Sequence, residues 1–181
     1  MKRVFTPFNV MTLILLAASA FAYYQVQLPP PEATVPDYGN RAEVQEAKLR
    51  LYFSDSQVQQ YATEERALSV RSVTPGALGQ AAVDALADGP TGSGLAVLPK
   101  SGDKPRVWAR GEHYVVDLPA SYAKLNYGAS GERMVLCSIT NTLLGVKDMK
   151  DVTFLVAGRN TESLLGHMDL RSPFTREDCA L

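Results

Sequence analysis

The sequence predicts an α+β domain: a two-layer sandwich in which two helices pack on one face of a mixed or antiparallel sheet of about four to five strands. Patterns typical of strands and helices follow one another in the order strand, strand, helix, strand, strand, helix, strand. Both helices carry one apolar face, and a single sheet face is the economical surface for both to cover.

The first two strands are predicted from alternation. In Lys48–Ser54, the residues Leu49, Leu51 and Phe53 point to one side, which is the period of two that is typical of a half-buried strand. Tyr61–Val73 is a weaker pattern with several charges. We expect it at a solvent-facing edge, because charged side chains there block unwanted pairing.

The first helix has signals at both ends. Thr74 can cap its N-terminus, and Pro75 fits the first helical position because no N–H partner is needed there. Gly89 followed by Pro90 ends the helix. Its apolar face consists of Leu78, Ala82, Ala85 and Leu86.

The second half of the chain supplies the remaining strands. Lys104–Arg110 and Glu112–Leu118 are rich in strand-favouring residues and are joined at Gly111. Val152–Ala157 is almost continuously apolar, as a central strand would be. Leu164–Leu170 is predicted as one more short edge strand.

The second helix is predicted from Ser130 to Leu144, with Ser130 at its N-cap. Two further residues are expected to shape turns. Asp117 precedes Leu118-Pro119 at the end of a strand, and Gly158 begins the sequence Gly158-Arg159-Asn160.

The N-terminal segment predicts export. Two basic residues precede an uncharged run, Val10–Tyr24, and small residues follow, which is the order of a secretory signal. The run of 15 residues is shorter than the roughly 20 that a spanning helix needs, so cleavage after Ala20 or Ala22 is one expectation. An uncleaved membrane anchor is the other. In both cases the rest of the chain lies outside the cytoplasmic membrane.

The chain is expected to contain four segments. Residues 1–24 are the signal peptide or membrane anchor, and residues 25–46 are a Pro-rich linker that includes an extended Leu28-Pro29-Pro30-Pro31. Residues 47–175 form the globular domain, and residues 176–181 are a C-terminal tail.

Charge argues against nucleic acid as a partner. Without residues 1–22 the chain has 16 Lys and Arg against 19 Asp and Glu, a net charge of −3. Binding to nucleic acid depends on neutralising phosphates, which an acidic domain without a basic stripe does poorly. No cofactor and no metal site is predicted, since His113 and His167 lie at no ligand-like spacing.

The two cysteines leave two readings open. An exported protein can hold a disulfide, and a bond between Cys137 and Cys179 would close a loop of about 40 residues. Such a bond stabilises the fold by about 4 kcal/mol in the chain-entropy model. In the other reading, Cys137 is a small core residue and Cys179 is a free thiol in the tail.

No catalytic constellation stands out. The sequence Gly128-Ala129-Ser130-Gly131 lacks the spacing of a nucleophile elbow, and the glycine-rich loop Gly89–Gly94 lacks the Lys-Ser or Lys-Thr of a phosphate cradle. The remaining candidate is a carboxylate pair, Asp117 with Asp84 or Asp88, which could carry out acid–base hydrolysis.

Seven short segments occur in an order that resembles the GerMN domain family, named for a spore-germination and sporulation protein. The resemblance covers roughly residues 47–175. It implies an exported or membrane-anchored envelope domain, a small α+β interaction unit, and no established catalytic residues. The chain differs from many members in having one domain copy and no lipobox cysteine. The segments are LRLYFS (49–54), ALADGP (85–90), GLAVLP (94–99), YVVDL (114–118), SITNTL (138–143), VTFLVAG (152–158) and DLRSPF (169–174).

Three functions remain as hypotheses. The first is a non-enzymatic envelope domain that mediates protein–protein interaction or assembly linked to cell-wall or sporulation-type processes. Its expected partner is an envelope protein or peptidoglycan, with self-association left open and membrane contact through an uncleaved N-terminal segment. The second is a module that binds cell-wall glycan or peptide through exposed aromatic rings. The third is an envelope hydrolase that uses Asp117. The aromatic candidates are Trp108, Tyr114, Tyr122 and Tyr127.

Overall fold

The computed structural model describes residues 6–27, 44–100 and 103–181. The chain divides into two compact units, residues 1–41 and 42–181, and each is described by itself. The polyproline part of the predicted linker, residues 28–31, lies outside the described residues.

The described part of the first unit is one helix, α1, Pro7–Gln27. Its 21 residues include no charge, and large apolar side chains such as Phe8, Leu13 and Leu16 are exposed around it. At 1.5 Å per residue the helix is about 30 Å long, close to the hydrocarbon thickness of a bilayer. Among the described residues, Pro7–Gln25 is the one stretch long and apolar enough to cross a membrane.

In the second unit, the strands form two sheets. Strands β1, Gln45–Ser54, and β2, Tyr61–Val70, are an antiparallel pair. Strands β3, Arg106–Arg110, β4, His113–Leu118, and β5, Asp151–Val156, form a second sheet in that order, with β3–β4 antiparallel and β4–β5 parallel. The predicted α+β class is confirmed, although the strands are divided between two sheets.

Two helices pack against these sheets, as predicted. Helix α2, Pro75–Ala87, connects β2 to β3. A 3-10 helix, Ala120–Lys124, and helix α3, Ala129–Leu143, form the crossover that the parallel pair β4–β5 requires. One continuous core results, and its largest fully buried side chains include Tyr114, Tyr122, Phe53, Phe154, Leu51, Leu86, Leu118, Leu136, Ile139 and Leu143.

The two sheets stay separate because the second edge of β1 is already occupied. The Tyr52 N–H donates to Thr142 Oγ1 of α3 at 3.0 Å. Ser54 and Leu95 exchange two backbone hydrogen bonds, of 3.3 and 2.8 Å. A helix side chain and one loop residue therefore satisfy backbone groups that a neighbouring strand would otherwise take.

The start of α3 differs from the prediction. Gly128 is the N-cap residue, with φ −77° and ψ −174°, and its carbonyl accepts the N–H of Glu132 at 2.9 Å. The predicted cap, Ser130, is wrong, since Ser130 is the second residue of the helix. The predicted strand ends shift as well, because β1 begins at Gln45 inside the expected linker and β2 ends at Val70.

The predicted edge strand Leu164–Leu170 is wrong. This segment consists of bends and irregular backbone, with Gly166 at φ +97°. Its backbone N–H groups at Leu164, Leu165 and His167 donate to the side chain of Glu132, so they are not available for a neighbouring strand. Further along the chain, Phe174 does pair with β5 as an isolated bridge to Val152.

The last six residues are bound to the domain. The Arg176 guanidinium donates to the Leu144 carbonyl at 2.6 Å, which covers the C-terminal end of α3. The Tyr61 hydroxyl donates to the Cys179 carbonyl at 2.9 Å. The segment 176–181, expected as a tail, is therefore part of the packed structure.

A disulfide joins the same segment to α3. The Sγ atoms of Cys137 and Cys179 lie 2.11 Å apart, and both side chains are buried. The Arg133 guanidinium donates to the carbonyls of Asp178 and Ala180, at 3.1 and 2.7 Å, on either side of the bonded cysteine. Helix α3 thus holds the C-terminal segment by a covalent bond and by hydrogen bonds.

Candidate binding site on the open sheet face

The three-stranded sheet has one face packed in the core and one open face. Core-facing residues such as Val107, Val116 and Phe154 are buried. The alternate residues point to the other side and form three rows across the sheet. We call these nine residues the Trp108 face: Arg106, Asp117 and Leu155; Trp108, Val115 and Thr153; Arg110, His113 and Asp151.

Trp108 is the main apolar feature of this face. Its side chain is 48% exposed, whereas Val115 and Leu155 are only partly exposed. Arg106 and Arg110 lie two residues before and after it on the same side of β3, and both are exposed. In the part of the chain that the structure describes, no carboxylate lies within ion-pair distance of either arginine.

A groove of about 740 Å³ opens beside Trp108. It lies where β4 ends and β3 begins, and it continues onto the turn after β5. Five of its eleven lining residues are polar or charged, and the indole is its one aromatic ring. Its lining includes the side chains of Gln80, Lys104, Arg106, Trp108 and Asp117.

Gln80 of α2 holds one wall of the groove in place. Its Oε1 accepts the Val107 N–H at 2.8 Å, and its Nε2 donates to the Pro105 carbonyl at 3.1 Å. The amide thus takes the place of a neighbouring strand at the outer edge of β3. Lys104 is also fixed, because its ammonium group pairs with Asp88 at the end of α2.

Asp117 fixes the turn at the far end of the groove. The Gly158 N–H donates to Asp117 Oδ1 at 2.7 Å. Ala157 and Gly158 have φ of +51° and +73°, and Val156 and Arg159 exchange backbone hydrogen bonds of 2.9 and 3.1 Å. Two successive positive φ values between paired residues define a type I′ turn. The other carboxylate oxygen, Asp117 Oδ2, has no hydrogen-bond partner among the described residues.

The four aromatic candidates do not form one site. Tyr114 and Tyr122 are fully buried, so the expectation that they contact a ligand is wrong. The Tyr114 hydroxyl donates to the Pro75 carbonyl at 2.8 Å, and burial raises the pKa of each of the two phenols to about 12. Trp108 and Tyr127 are exposed, but they lie in different pockets.

The carboxylates proposed for hydrolysis have separate structural contacts. Asp84 accepts a hydrogen bond from Gln80 at 2.9 Å, Asp88 pairs with Lys104, and Asp117 holds the turn described above. Of the histidines, His113 pairs with Asp151 through Nδ1 at 2.9 Å, and His167 lies in the segment bound by Glu132. Among residues 6–27, 44–100 and 103–181, no group of three or more His, Cys, Asp or Glu residues is arranged to hold a metal ion.

A second, smaller pocket of about 210 Å³ lies at the turn between β1 and β2. It is mostly apolar, and Val58, Leu95, Tyr127 and Met134 contribute to its lining. Val58 has φ +56°, which is an unfavourable conformation for a β-branched residue. Tyr127 is 39% exposed there, close to the 48% of Trp108.

The chain matches a family model described as sporulation and spore germination over residues 50–162. The chain belongs to this family. The first GerMN domain of the sporulation protein GerM from Bacillus subtilis has the same fold, with a TM-score of 0.55, 18% identity, and coverage of 73% of this chain and 99% of that one. A candidate lipoprotein from Clostridium perfringens is similar at 27% identity and a TM-score of 0.53, covering 74% of this chain and 89% of its own. No curated protein matches the chain.

The sequence segments that resemble GerMN domains occupy core strands, helices and turns. Segment 49–54 lies within β1, segment 114–118 within β4 and segment 138–143 within α3. Segment 152–158 contains most of β5 and the turn that Asp117 holds. The resemblance therefore follows residues that build the GerMN fold rather than a set of reactive groups.

The end of α2 shows how one such segment works. The helix begins after Thr74, whose side chain makes no capping bond, with Pro75 at its first position. It ends before Gly89, which has φ +90° and precedes Pro90. The Arg66 guanidinium donates to the Ala85 and Gly89 carbonyls, at 3.2 and 3.1 Å. A cation thus satisfies carbonyls at the negative end of the helix.

Glu64 in turn binds Arg66. The sequence predicted no role for either residue except that their charges keep an edge strand from unwanted pairing. Arg66 Nη2 donates to Glu64 Oε1 at 2.6 Å, and the Thr91 N–H donates to Glu64 Oε2 at 2.9 Å. The Thr91 hydroxyl, followed by Arg66, lowers the pKa of Glu64 to about 2. The sequence did contain a signal for this ion pair, because an acidic and a basic residue two positions apart on one strand lie on the same face.

Glu132 is the other residue that sequence reasoning missed. It is fully buried in α3, and its carboxylate accepts N–H groups from Leu164, Leu165 and His167 at 3.2, 2.9 and 2.9 Å. The sequence did indicate that Glu132 is buried, because it lies three residues before Val135 and therefore on the apolar face of the helix. A buried carboxylate needs several donors, and here the backbone supplies them.

Proposed function

We propose that this GerMN domain is a non-enzymatic binding unit that works outside the cytoplasmic membrane, and that the Trp108 face is its recognition surface. The observation that carries the proposal is an exposed indole between two arginines without acidic partners, on a sheet face that no other described element covers. A large aromatic ring and guanidinium groups are the side chains most enriched where proteins bind partners.

The location is supported by the N-terminal helix and by the family. Helix α1 has the length and composition of a membrane span near the N-terminus, as a signal sequence also does. The family description names sporulation and spore germination, and one similar structure is that of a candidate lipoprotein. An envelope protein or peptidoglycan is the partner that such a location would offer.

The hydrolase hypothesis is less well supported. It would need Asp117 to act with a second carboxylate, whereas Asp84 and Asp88 are each bound to other side chains on α2 or beside it. A binding unit requires no such pair. We expect the purified full-length chain to leave no cleared zone in a peptidoglycan zymogram, and a cleared zone that disappears in Asp117→Asn would restore the hydrolase hypothesis.

Site-specific photocrosslinking in native envelopes tests the proposal. A benzophenone amino acid at Arg110, at the end of the Trp108 face, should give adducts of higher mass than the chain itself. The same group at Glu65, an exposed residue of β2, is the matched control and should not give those adducts. Adducts that are equal at both positions, or absent at Arg110, would contradict the proposal.

The second half of the test combines crosslinking with Trp108→Ala. Loss of the indole should reduce the Arg110 adducts about tenfold, since one well-packed aromatic side chain contributes 1 to 2 kcal/mol or more to binding. Tyr127→Ala removes an exposed ring from the other pocket and should leave the adducts unchanged. Both variants should keep the melting temperature of the parent chain to within a few degrees, because both rings are surface groups.

A further inference from the structure

We infer that the Trp108 face and its groove bind a glycan strand that carries carboxylate groups, of the kind a cell wall presents. The inference rests on the proposed function and adds the chemical class of the ligand. It commits this surface to an acidic carbohydrate, rather than to the apolar core of a protein interface or to a lipid surface.

The first argument is the isolation of Trp108. Among the described residues of the folded unit, the other large apolar side chains that are well exposed are Val44, Val73, Leu95, Tyr127 and Leu181, and none belongs to the Trp108 face. The core of a protein interface is a cluster of well-exposed apolar groups, whereas one well-exposed ring beside two arginines, with Val115 and Leu155 only partly exposed, suits the C–H face of a pyranose. The ring supplies contact area, and the polar neighbours remain available for hydroxyl groups.

The second argument is charge. Arg106 and Arg110 present two guanidinium groups without ion-pair partners in the described part of the chain. Arg106 lies opposite Asp117 in the strand register but does not pair with it. A free guanidinium is the best matched side chain for a carboxylate, because its N–H groups can bind both oxygens. The two arginines are four residues apart, about 13 Å along a strand, so they match repeated carboxylates on an extended polymer better than one small anion.

The third argument is the groove beside the ring. Its volume of about 740 Å³ falls within the range of small-ligand sites. Asp117 Oδ2, which has no partner among the described residues, is a hydrogen-bond acceptor in its wall, and Lys104 is a donor already fixed by Asp88. Acceptors and donors together suit sugar hydroxyl and amide groups. A site for a uniformly anionic lipid surface would not contain the carboxylates of Asp103 and Asp117.

Co-sedimentation with purified peptidoglycan sacculi tests the inference, using the full-length chain in mild detergent. We expect the parent chain to pellet with sacculi and Trp108→Ala to bind about tenfold more weakly. Arg106→Gln should also weaken binding. Sacculi whose carboxylates have been amidated should bind the parent chain at least as weakly as untreated sacculi bind Arg106→Gln, because amidation removes the partners of both arginines. Tyr127→Ala should pellet like the parent chain.

Several results would overturn the inference. The parent chain could stay in the supernatant, or Trp108→Ala and Tyr127→Ala could pellet equally. Amidation of the sacculi could have no effect, or the chain could bind vesicles of anionic phospholipid more tightly than sacculi. The photocrosslinking experiment separates this inference from the proposed function. A discrete protein adduct at Arg110 that depends on Trp108, together with no binding to sacculi, would end the glycan inference and leave the binding function intact.

Discussion

Glu132 determines how residues 164–167 are held against α3. Because its carboxylate is buried and accepts three backbone N–H groups, removing it leaves three donors without partners in the interior. We expect Glu132→Ala to lower the free energy of unfolding by about 3 kcal/mol, measured by denaturant titration. Amide exchange at Leu164, Leu165 and His167 should accelerate in the same variant.

The control for that prediction is Glu162→Ala. Glu162 lies close in sequence to the segment, but its side chain is 87% exposed, so its removal should change stability by less than about 0.5 kcal/mol. Equal losses in the two variants would show that the Glu132 hydrogen bonds contribute nothing specific.

Glu64 should make stability depend on acidity. Its pKa is about 2 in the folded chain, against 4.5 for an unperturbed glutamate, so the folded state binds fewer protons there than the unfolded state. Its contribution is therefore complete above pH 4.5 and is lost as pH falls from 4.5 towards 2. We expect Glu64→Gln to be less stable than the parent by about 2 kcal/mol at pH 7, with the difference shrinking over that interval.

The comparison variant is Glu65→Gln, in which the neighbouring carboxylate is lost. Glu65 is 69% exposed and makes one surface ion pair with Arg50, a kind of contact that contributes little. Its stability relative to the parent should change little between pH 7 and pH 2. If the two variants follow the same pH profile, the contacts of Glu64 with Thr91 and Arg66 do not set its titration.

At the scale of elements, the distance between α2 and the three-stranded sheet depends on Gly79. A Cβ there would lie 2.7 Å from Tyr114 Cε1 and 3.1 Å from Leu143 Cδ2, and the Tyr114 ring is held by its bond to the Pro75 carbonyl. We expect Gly79→Ala to destabilise the domain by about 1 to 3 kcal/mol, since overpacking outweighs the better helix propensity of alanine.

Gly76 provides the matched substitution in the same helix. A Cβ at Gly76 meets Ala109 at 3.7 Å or more, which is ordinary contact. Gly76→Ala should therefore leave the melting temperature equal or higher, because alanine loses less backbone freedom on folding. A Gly79→Ala variant as stable as Gly76→Ala would mean that α2 can move away from the sheet without cost.

The elements also show what the sequence could predict. The alternation of Leu49, Leu51 and Phe53, and the end signals Pro75 and Gly89, depend on local rules, and the structure follows them. The second edge of β1 is closed in part by Thr142, which lies 90 residues from its partner Tyr52. The spacing of apolar residues along the sequence carries no information about such distant contacts. A single sheet was therefore the simplest prediction.

The candidate site was predictable only in part. Trp108 was among the aromatic candidates, but Tyr114 and Tyr122 have the same residue character in sequence and lie in the core. Which side of a strand faces the helices is decided by packing, because both sides of β3 and β4 carry large side chains. The groove was not predictable, since it combines Gln80 of α2 with Asp117 of β4.

At the scale of the whole molecule, α1 decides whether the domain works at a membrane surface or free of it. The helix extends beyond the uncharged run that indicated a signal, and its length of about 30 Å matches a bilayer core. We therefore expect the full-length chain to stay in the membrane pellet after extraction with alkaline carbonate. Mass spectrometry should recover a peptide that spans Ala20 and Ala22.

Two arginines in place of Leu13 and Leu15 provide the control, because charges at the centre of a span oppose insertion. That variant should leave the carbonate-resistant pellet. Recovery of the parent chain in the soluble fraction, with an N-terminus directly after Ala20 or Ala22, would show that α1 is a cleaved signal.

The anchoring of the C-terminal segment has a consequence for the order of folding. Tyr61 in β2 contacts Cys179 across 118 positions of the chain, and Val152 of β5 pairs with Phe174. Contacts between such distant positions form slowly and cannot begin until both ends are present. While the chain is being made, the apolar groups of the β1–β2 hairpin stay uncovered until these residues are present. The residues around Cys179 therefore close the structure, and a chain that lacks them would remain exposed to proteases and aggregation.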